Sequence, residues 1–190
     1  MHKISIRLKF SAGFYLFCAV VLLMFPLKWI AAWITAMCLH EFFHYFALQL
    51  FGVRVWQVSI GYNGARMQTE PLSNIQETAC ALAGPIGGLI LLIFVRRFPL
   101  LAICGFLQSA YNLLPIYPLD GGRALLSLLR MFFDEIVAER IYRVFSKLII
   151  LLLMIIAVFS AFVGFGFMPI ILMLSIIIKS TCKHGVKIVK

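Results

Sequence analysis

The chain has 190 residues and a formal net charge of +10, and 63% of its residues are hydrophobic while 13% are charged. Soluble domains contain about 45–50% apolar and about 25% charged residues, so this composition excludes an ordinary soluble enzyme and predicts an integral membrane protein. The basic residues lie at the ends of apolar stretches, which argues against nucleic acid as a partner and indicates contacts with membrane lipids.

The apolar stretches predict an all-α polytopic membrane protein with about six transmembrane helices, since about 20 apolar residues cross a bilayer. The predicted spans are 10–25, 29–51, 75–95, 98–118, 147–162 and 165–178. The break between the last two, at Gly164 and Gly166, is weak, so one bent helix followed by a half-span is the alternative there. The whole chain, 1–190, is predicted to form a single domain whose core is about 29–122, with spans five and six at about 147–178.

The distribution of Lys and Arg predicts the orientation of these spans. Six spans place both termini on one side, and only Lys28, Arg96 and Arg97 then fall on the opposite side. Basic residues concentrate in cytoplasmic loops, so both termini are expected in the cytoplasm. The protein is therefore predicted to be a multi-pass protein of the cell membrane.

Two segments between the spans carry structure of their own. Residues 53–69 contain two runs rich in β-branched residues, 53–60 and 65–69, around the turn signal Gly61-Tyr62-Asn63-Gly64, which predicts a short membrane-associated β-hairpin. An ordinary cytoplasmic loop is the alternative. Residues 121–146 predict a partly charged helix, in which Glu139 and Arg143 stand one turn apart and can pair.

The second span contains His40-Glu41-Phe42-Phe43-His44, an H-E-x-x-H motif. Residues four apart lie on one face of a helix, so both imidazoles can reach one metal ion. Glu41 lies about 100° around the helix from His40 and can reach a water on that metal. Ionisable groups this deep in a span cost several kcal/mol unless they have partners, which makes them functional candidates. The motif predicts a catalytic zinc site, and a polar contact between helices is the alternative.

A catalytic zinc ion requires a third protein ligand and one open position for water. Of the seven acidic residues, only Asp120 ends an apolar span. It closes the string N-L-L-P-I-Y-P-L-D that begins at Asn112, and Gly121 and Gly122 follow it. The two prolines remove backbone donors and break the helix, and the glycines permit a sharp change of direction. Broken backbone at membrane depth is tolerated where it lines a cavity, so Asp120 is the candidate third ligand.

Together these motifs resemble the site-2 protease family of intramembrane metalloproteases. H-E-F-F-H at 40–44 matches the first motif of that family, and N-L-L-P-I-Y-P-L-D-G-G at 112–122 matches the second, N-x-x-P-x-x-P-x-D-G-G, at every fixed position. Ala83-Gly84-Pro85 resembles its A-G-P segment. The second motif is most similar to the sporulation branch, that of stage IV sporulation protein FB.

The resemblance implies a set of roles for these residues. Glu41 would activate water for peptide-bond hydrolysis, and Asn112 would stabilise the tetrahedral oxyanion or contact the substrate, since a neutral amide donor suits a water-poor site. Pro115 and Pro118 would join Asn112 in binding substrate. The implied ligands of the single zinc ion are His40, His44 and Asp120.

The implied substrate is a regulatory protein with a transmembrane or membrane-associated segment. In such a protease the edge of the hairpin at 53–69 would pair with an unwound substrate segment, because added strands supply main-chain hydrogen bonds with little sequence demand. Two departures qualify the resemblance. Gly88 stands where many relatives carry asparagine, so no substrate contact is predicted there, and neither a PDZ nor a CBS domain is expected.

The predicted function is therefore that of an intramembrane zinc endopeptidase acting in regulated intramembrane proteolysis. A zinc-binding membrane transporter is one alternative, but a transport path requires polar residues along several spans, which are otherwise apolar here. A catalytically silent membrane adaptor is another, and the filled catalytic positions argue against it. An inhibitory membrane partner or a homo-oligomer is compatible with the sequence.

Overall fold

The computed structural model describes residues 7–10, 22–61 and 64–163. The described part contains five long helices and three strands. In chain order these are β1 (Arg7–Phe10), α1 (Leu27–Leu50), β2 (Val55–Gly61), β3 (Gly64–Thr69), α2 (Asn74–Ile90), α3 (Pro99–Asn112), α4 (Asp120–Phe132) and α5 (Glu135–Phe162), and a 3-10 turn, Leu91–Phe94, extends α2. The chain divides into two compact units, Met1–Asn112 and Leu113–Lys190.

Two helices in the described part are long and apolar enough to cross a membrane, Asn74–Phe94 and Glu135–Ser160. The first matches the predicted third span, and the second contains most of the predicted fifth. The predicted second span corresponds to α1, which has 24 residues and carries the polar H-E-x-x-H motif that lowers its hydropathy. Most of the first predicted span and all of the sixth lie outside the described residues, as do the basic residues of the C-terminus.

The fourth span is shorter than predicted. Helix α3 has 14 residues, which is about 21 Å, and it ends at Asn112 rather than at residue 118. Pro115 and Pro118 lie in the non-helical segment that follows, as expected for residues that lack a backbone donor. The predicted end of this span was wrong because the helix stops before the first proline, whose ring disfavours helical backbone in the preceding residue.

The charged helix predicted at 121–146 is also divided differently. Helix α4 ends at Phe132, since Phe133 is extended with φ −132° and ψ 154°, and α5 then runs without a break from the charged segment into the fifth span. Within this unit the carboxylate of Glu139 accepts a hydrogen bond from Arg130 at 3.1 Å. Arg143 instead donates to the backbone oxygen of Glu139. The ion pair therefore joins α4 to α5, and the predicted pairing of Glu139 with Arg143 was wrong.

The predicted hairpin is confirmed, and it belongs to a larger sheet. Strands β2 and β3 are antiparallel, with Val58 opposite Met67, and β1 lies parallel to β2 on its other edge, in the order β1-β2-β3. A buried apolar cluster packs the beginning of β2 against α1 and α2. Its members are Ala47, Leu48, Val53, Val55 and Cys80. Strand β1 was not predicted, because four residues are too few to show the alternation of apolar and polar side chains that indicates a strand. Its pairing with β2 is in addition a contact between distant parts of the chain, which no local pattern indicates.

Candidate metal centre

Helix α1 brings its two histidines together on one face. The Nε2 atoms of His40 and His44 lie 3.1 Å apart, and the rings meet edge to face with centroids 4.7 Å apart. His40 is 3% exposed and His44 is half-buried. Two nitrogens bound to one tetrahedral zinc ion at about 2.0–2.1 Å would be about 3.3 Å apart. The pair therefore fits a shared zinc ion after a shift of a few tenths of an ångström.

The other ring nitrogen of His44 determines which atom can bind a metal. Its Nδ1 lies 2.7 Å from the backbone oxygen of Cys80, on the neighbouring helix α2. A carbonyl oxygen can only accept, so Nδ1 carries the proton and donates it there. The lone pair of Nε2 is then left for a metal. This arrangement, a ligating imidazole oriented by a backbone carbonyl, is common around protein-bound metals.

Helix α2 approaches the two histidines at Gly84, the middle residue of the A-G-P segment. A Cβ atom at this residue would lie 2.6 Å from Cε1 of His44 and 2.8 Å from Cε1 of His40. One turn along, a Cβ at Gly87 would lie 2.5 Å from the ring of Phe43. The bare backbone of α2 therefore forms one wall of the histidine pair, and only glycine fits there.

Gly88 contacts helix α3 rather than the histidines. A Cβ atom here would lie 2.9 Å from the backbone oxygen of Gly105 and would overlap the hydroxyl of Ser109. That hydroxyl is buried and donates to the backbone oxygen of Pro85 at 2.9 Å. Gly88 therefore allows the two helices to pack closely, and a larger side chain would not fit in this arrangement.

Two further residues of the first unit were predicted to act in catalysis. Glu41 follows His40 in α1 and is half-buried. Asn112 is the last residue of α3 and is also half-buried, so the chain leaves the helix directly after it. Both residues therefore lie in helices of the first unit, and their catalytic roles stay predictions.

In the second unit, Asp120 begins helix α4 and is 8% exposed. Its Oδ1 lies 3.5 Å from Nη1 of Arg123, one turn along the same helix. The guanidinium and the positive end of the helix dipole both attract the carboxylate. Pro115 and Pro118, in the segment before it, are half-buried, and the contact with substrate predicted for them stays a prediction.

The segment before Asp120 lies directly on the first turn of α4. A Cβ at Gly121 would lie 2.8 Å from the oxygen of Leu114, and one at Gly122 would lie 2.5 Å from the backbone nitrogen of Tyr117. Gly52 is the only glycine with positive φ in the described part of the chain. Neither Gly121 nor Gly122 has a positive φ, so close approach of the backbone accounts for the lack of a side chain at these two positions.

Helix α5 also contacts the segment that precedes Asp120. The backbone nitrogen of Tyr117 donates to the hydroxyl of Tyr142 at 2.5 Å. Ile116 is fully buried, and its oxygen accepts from the backbone nitrogen of Leu119 at 2.9 Å. The backbone that leads to Asp120 is thus held by a turn, by a tyrosine and by the glycines of α4. The sequence contained no local signal for Tyr142, because its partner lies 25 residues away.

Comparisons with known proteins agree with this fold. Residues 72–156 match the description Peptidase family M50. A zinc metalloprotease from Methanocaldococcus jannaschii is 24% identical over 140 residues, which are 66% of this chain and 41% of that relative, so the chain spans less than half of its length. The solved structure of a site-2 protease from Methanocaldococcus jannaschii superposes with a TM-score of 0.68 at 19% identity, over 100% of this chain and 96% of the other.

These matches confirm the resemblance to the site-2 protease family, whose members are membrane proteins. The residues matched to peptidase family M50, 72–156, include Asp120, whereas His40 and His44 precede them. Assignment to the sporulation branch stays a prediction, as does the lack of PDZ and CBS domains.

Proposed function

We propose that this chain, whose residues 72–156 match peptidase family M50 and whose fold resembles that of a site-2 protease, is an intramembrane zinc endopeptidase. The observation that carries this proposal is the pair of facing Nε2 atoms of His40 and His44, which lie 3.1 Å apart on one face of α1. A zinc ion explains the arrangement, because it binds both lone pairs at once.

Asp120 is proposed as the third ligand. With the two histidines it would complete a set of two imidazoles and one carboxylate, which is a set of ligands that zinc accepts. Two imidazoles and one carboxylate leave a fourth position open, which is the pattern of catalytic rather than structural zinc sites. A carboxylate at the start of a helix is held on rigid backbone, so Asp120 can be aimed at a fixed point.

The reaction proposed is hydrolysis of a peptide bond. His40, His44 and Asp120 would hold a zinc ion, which would supply Lewis-acid activation of the scissile carbonyl and of the attacking water. Glu41 accepts a proton from the attacking water and delivers it to the leaving amine, as a general base and then a general acid. The side-chain amide of Asn112 donates to the carbonyl oxygen as negative charge develops there.

The proposed substrate is a regulatory membrane protein with a transmembrane or membrane-associated segment. A helical segment hides its carbonyls, so it must unwind before the attack. In the described part of the sheet β3 is an edge strand, and an extended peptide can pair with such an edge through main-chain hydrogen bonds. We also propose that the chain crosses the cell membrane several times, with both termini in the cytoplasm, and that it contacts membrane lipids.

The decisive experiment compares membrane-protein fragments in cells that express the wild-type chain or Glu41→Gln. The variant should retain zinc and fold while losing every fragment that depends on the protease, because the amide cannot accept the proton. Glu70→Gln, an equal change at an exposed residue of the loop before α2, is the matched control and should leave the fragments unchanged. Equal cleavage by Glu41→Gln would overturn the mechanism, and zinc uptake without any cleavage would favour a zinc carrier.

A further inference from the structure

We propose that Gln108 is a positioning residue for His40. Its side-chain oxygen accepts the hydrogen bond of the His40 Nδ1–H group, directly or through one buried water, when the histidine pair binds its metal. This inference rests on the proposed zinc site and extends it to a residue outside both motifs.

The first observation concerns the amide itself. Gln108 is 8% exposed on helix α3, and its Oε1 is buried without a hydrogen-bond partner in the described part of the chain. A buried polar atom left without a partner destabilises the folded state. Most buried side-chain polar atoms are satisfied by protein or by ordered water, so this acceptor calls for a donor.

The second observation concerns what a ligating histidine needs. The Nε2 of His40 faces the Nε2 of His44, so a neutral His40 that binds metal through Nε2 carries its proton on Nδ1. Ligating histidines almost always donate that proton to a carboxylate, a carbonyl or a water. His44 donates to the oxygen of Cys80. By the same chemistry His40 requires an acceptor on its other side.

The relative direction of α1 and α2 follows from their contacts. Gly84 lies against His44, and Leu91, further along the chain, packs in one buried cluster with Ala36. From the first contact to the second, residue numbers rise along α2, from 84 to 91, and fall along α1, from 44 to 36. The two helices are therefore antiparallel.

Helices α2 and α3 are related in the same way. Pro85 accepts from Ser109, whereas Leu91 packs with Cys104. Helix α3 is therefore antiparallel to α2, and it runs in the same direction as α1.

These directions place Gln108 at the level of the histidine pair. Ala36 and Cys104 lie in the same buried cluster. One turn further along each helix, on the same face, are His40 and Gln108. A buried acceptor without a partner and a histidine that needs an acceptor therefore lie on adjacent helices at the same height.

The test replaces Gln108 by methionine, which keeps the length of the side chain and removes the oxygen. Zinc affinity, measured by competition titration of the detergent-solubilised full chain, should fall about 10- to 100-fold, as it does when other outer partners of a metal ligand are removed. The thermal stability of the metal-free protein should be unchanged or higher, since an unsatisfied amide is lost. Gln108→Glu, which retains an acceptor, should keep zinc affinity close to the wild-type value.

Ser109→Ala is the matched control, because Ser109 is buried on the same helix and donates to Pro85 instead. It should lower stability and leave zinc affinity unchanged. Wild-type affinity in Gln108→Met would overturn the inference, and so would a loss of cleavage alone, which would make Gln108 a substrate contact. A fall in metal-free stability that parallels the loss of zinc would show a packing role and also overturn it. Absence of zinc binding by the wild-type chain would instead refute the proposed function itself, and the inference with it.

Discussion

Gly84 lies so close to His44 that a Cβ atom on this glycine would be 2.6 Å from Cε1 of the imidazole ring. The same helix supplies, one turn earlier, the Cys80 oxygen to which that imidazole donates. Helix α2 therefore holds His44 by two means, a hydrogen bond at Nδ1 and a backbone wall beside Nε2. Rigid support of this kind keeps a ligand in place before the metal arrives.

A methyl group at Gly84 should therefore disturb the metal site. We expect Gly84→Ala to lower zinc affinity at least 10-fold, because one or both rings must move away from the shared point. Zinc affinity can be measured by competition with a chromogenic chelator. Gly87→Ala is the control, since its methyl group meets Phe43 instead and should reduce stability with little change in zinc affinity. Equal affinities of the wild type and Gly84→Ala would contradict the close approach.

Replacement of Asp120 by asparagine should weaken zinc binding, because a neutral amide oxygen is a poorer ligand than a carboxylate. A loss of about 100-fold in affinity and of nearly all cleavage is expected, with the fold retained as judged by thermal unfolding. Asp134→Asn makes the same change at an exposed residue before α5 and should have no effect. Undiminished zinc affinity in Asp120→Asn would remove Asp120 from the ligand set.

Tyr142→Phe removes the hydroxyl that accepts from the backbone nitrogen of Tyr117. Leaving that donor unsatisfied should cost about 1–3 kcal/mol of stability and reduce cleavage, because the segment leading to Asp120 loses an anchor. Thermal unfolding and cleavage rates measure the two effects. Tyr117→Phe retains the backbone donor and should be close to wild type in stability. The interpretation fails if both variants behave alike.

Removal of zinc with a chelator should abolish cleavage and lower thermal stability, and added zinc should restore both. A ligand present at 100 times its dissociation constant stabilises the folded state by about 2.7 kcal/mol, so the shift should be easily measured. Glu41→Gln should show the same shift as the wild type, since Glu41 is not a ligand in the proposed site. Cleavage that persists without metal would refute a zinc protease.

Much of the candidate site could be predicted from short patterns. The spacing of His40 and His44 places both on one helix face wherever a helix forms, because the helical period is local. Pro115 and Pro118 disfavour continuation of the helix because they lack a backbone donor, and the two β-rich runs around Gly61 and Gly64 predict the hairpin that the structure contains. Each of these features depends on residues within a few positions of one another.

Other features depended on contacts between distant residues. The sequence indicated that Gly121 and Gly122 are special but attributed them to a turn, whereas the structure assigns them to close packing against the segment before Asp120. Glu139 had a local candidate partner in Arg143, yet a cation nine residues away on the preceding helix, Arg130, binds its carboxylate. In both cases a local rule identified the residue and the tertiary fold chose its partner.

The chain's own residue pattern determined the class of protein, the histidine pair and the acidic candidate, because composition and helical spacing do not depend on the rest of the fold. Only the tertiary structure showed which nitrogen of His44 is left for a metal, why residue 84 has no side chain, and that the side-chain oxygen of Gln108 is buried without a hydrogen-bond partner in the described part of the chain. The physical reason is that a hydrogen bond to a carbonyl on another helix, or a missing Cβ, is a relation between distant residues. No sequence period encodes such a relation.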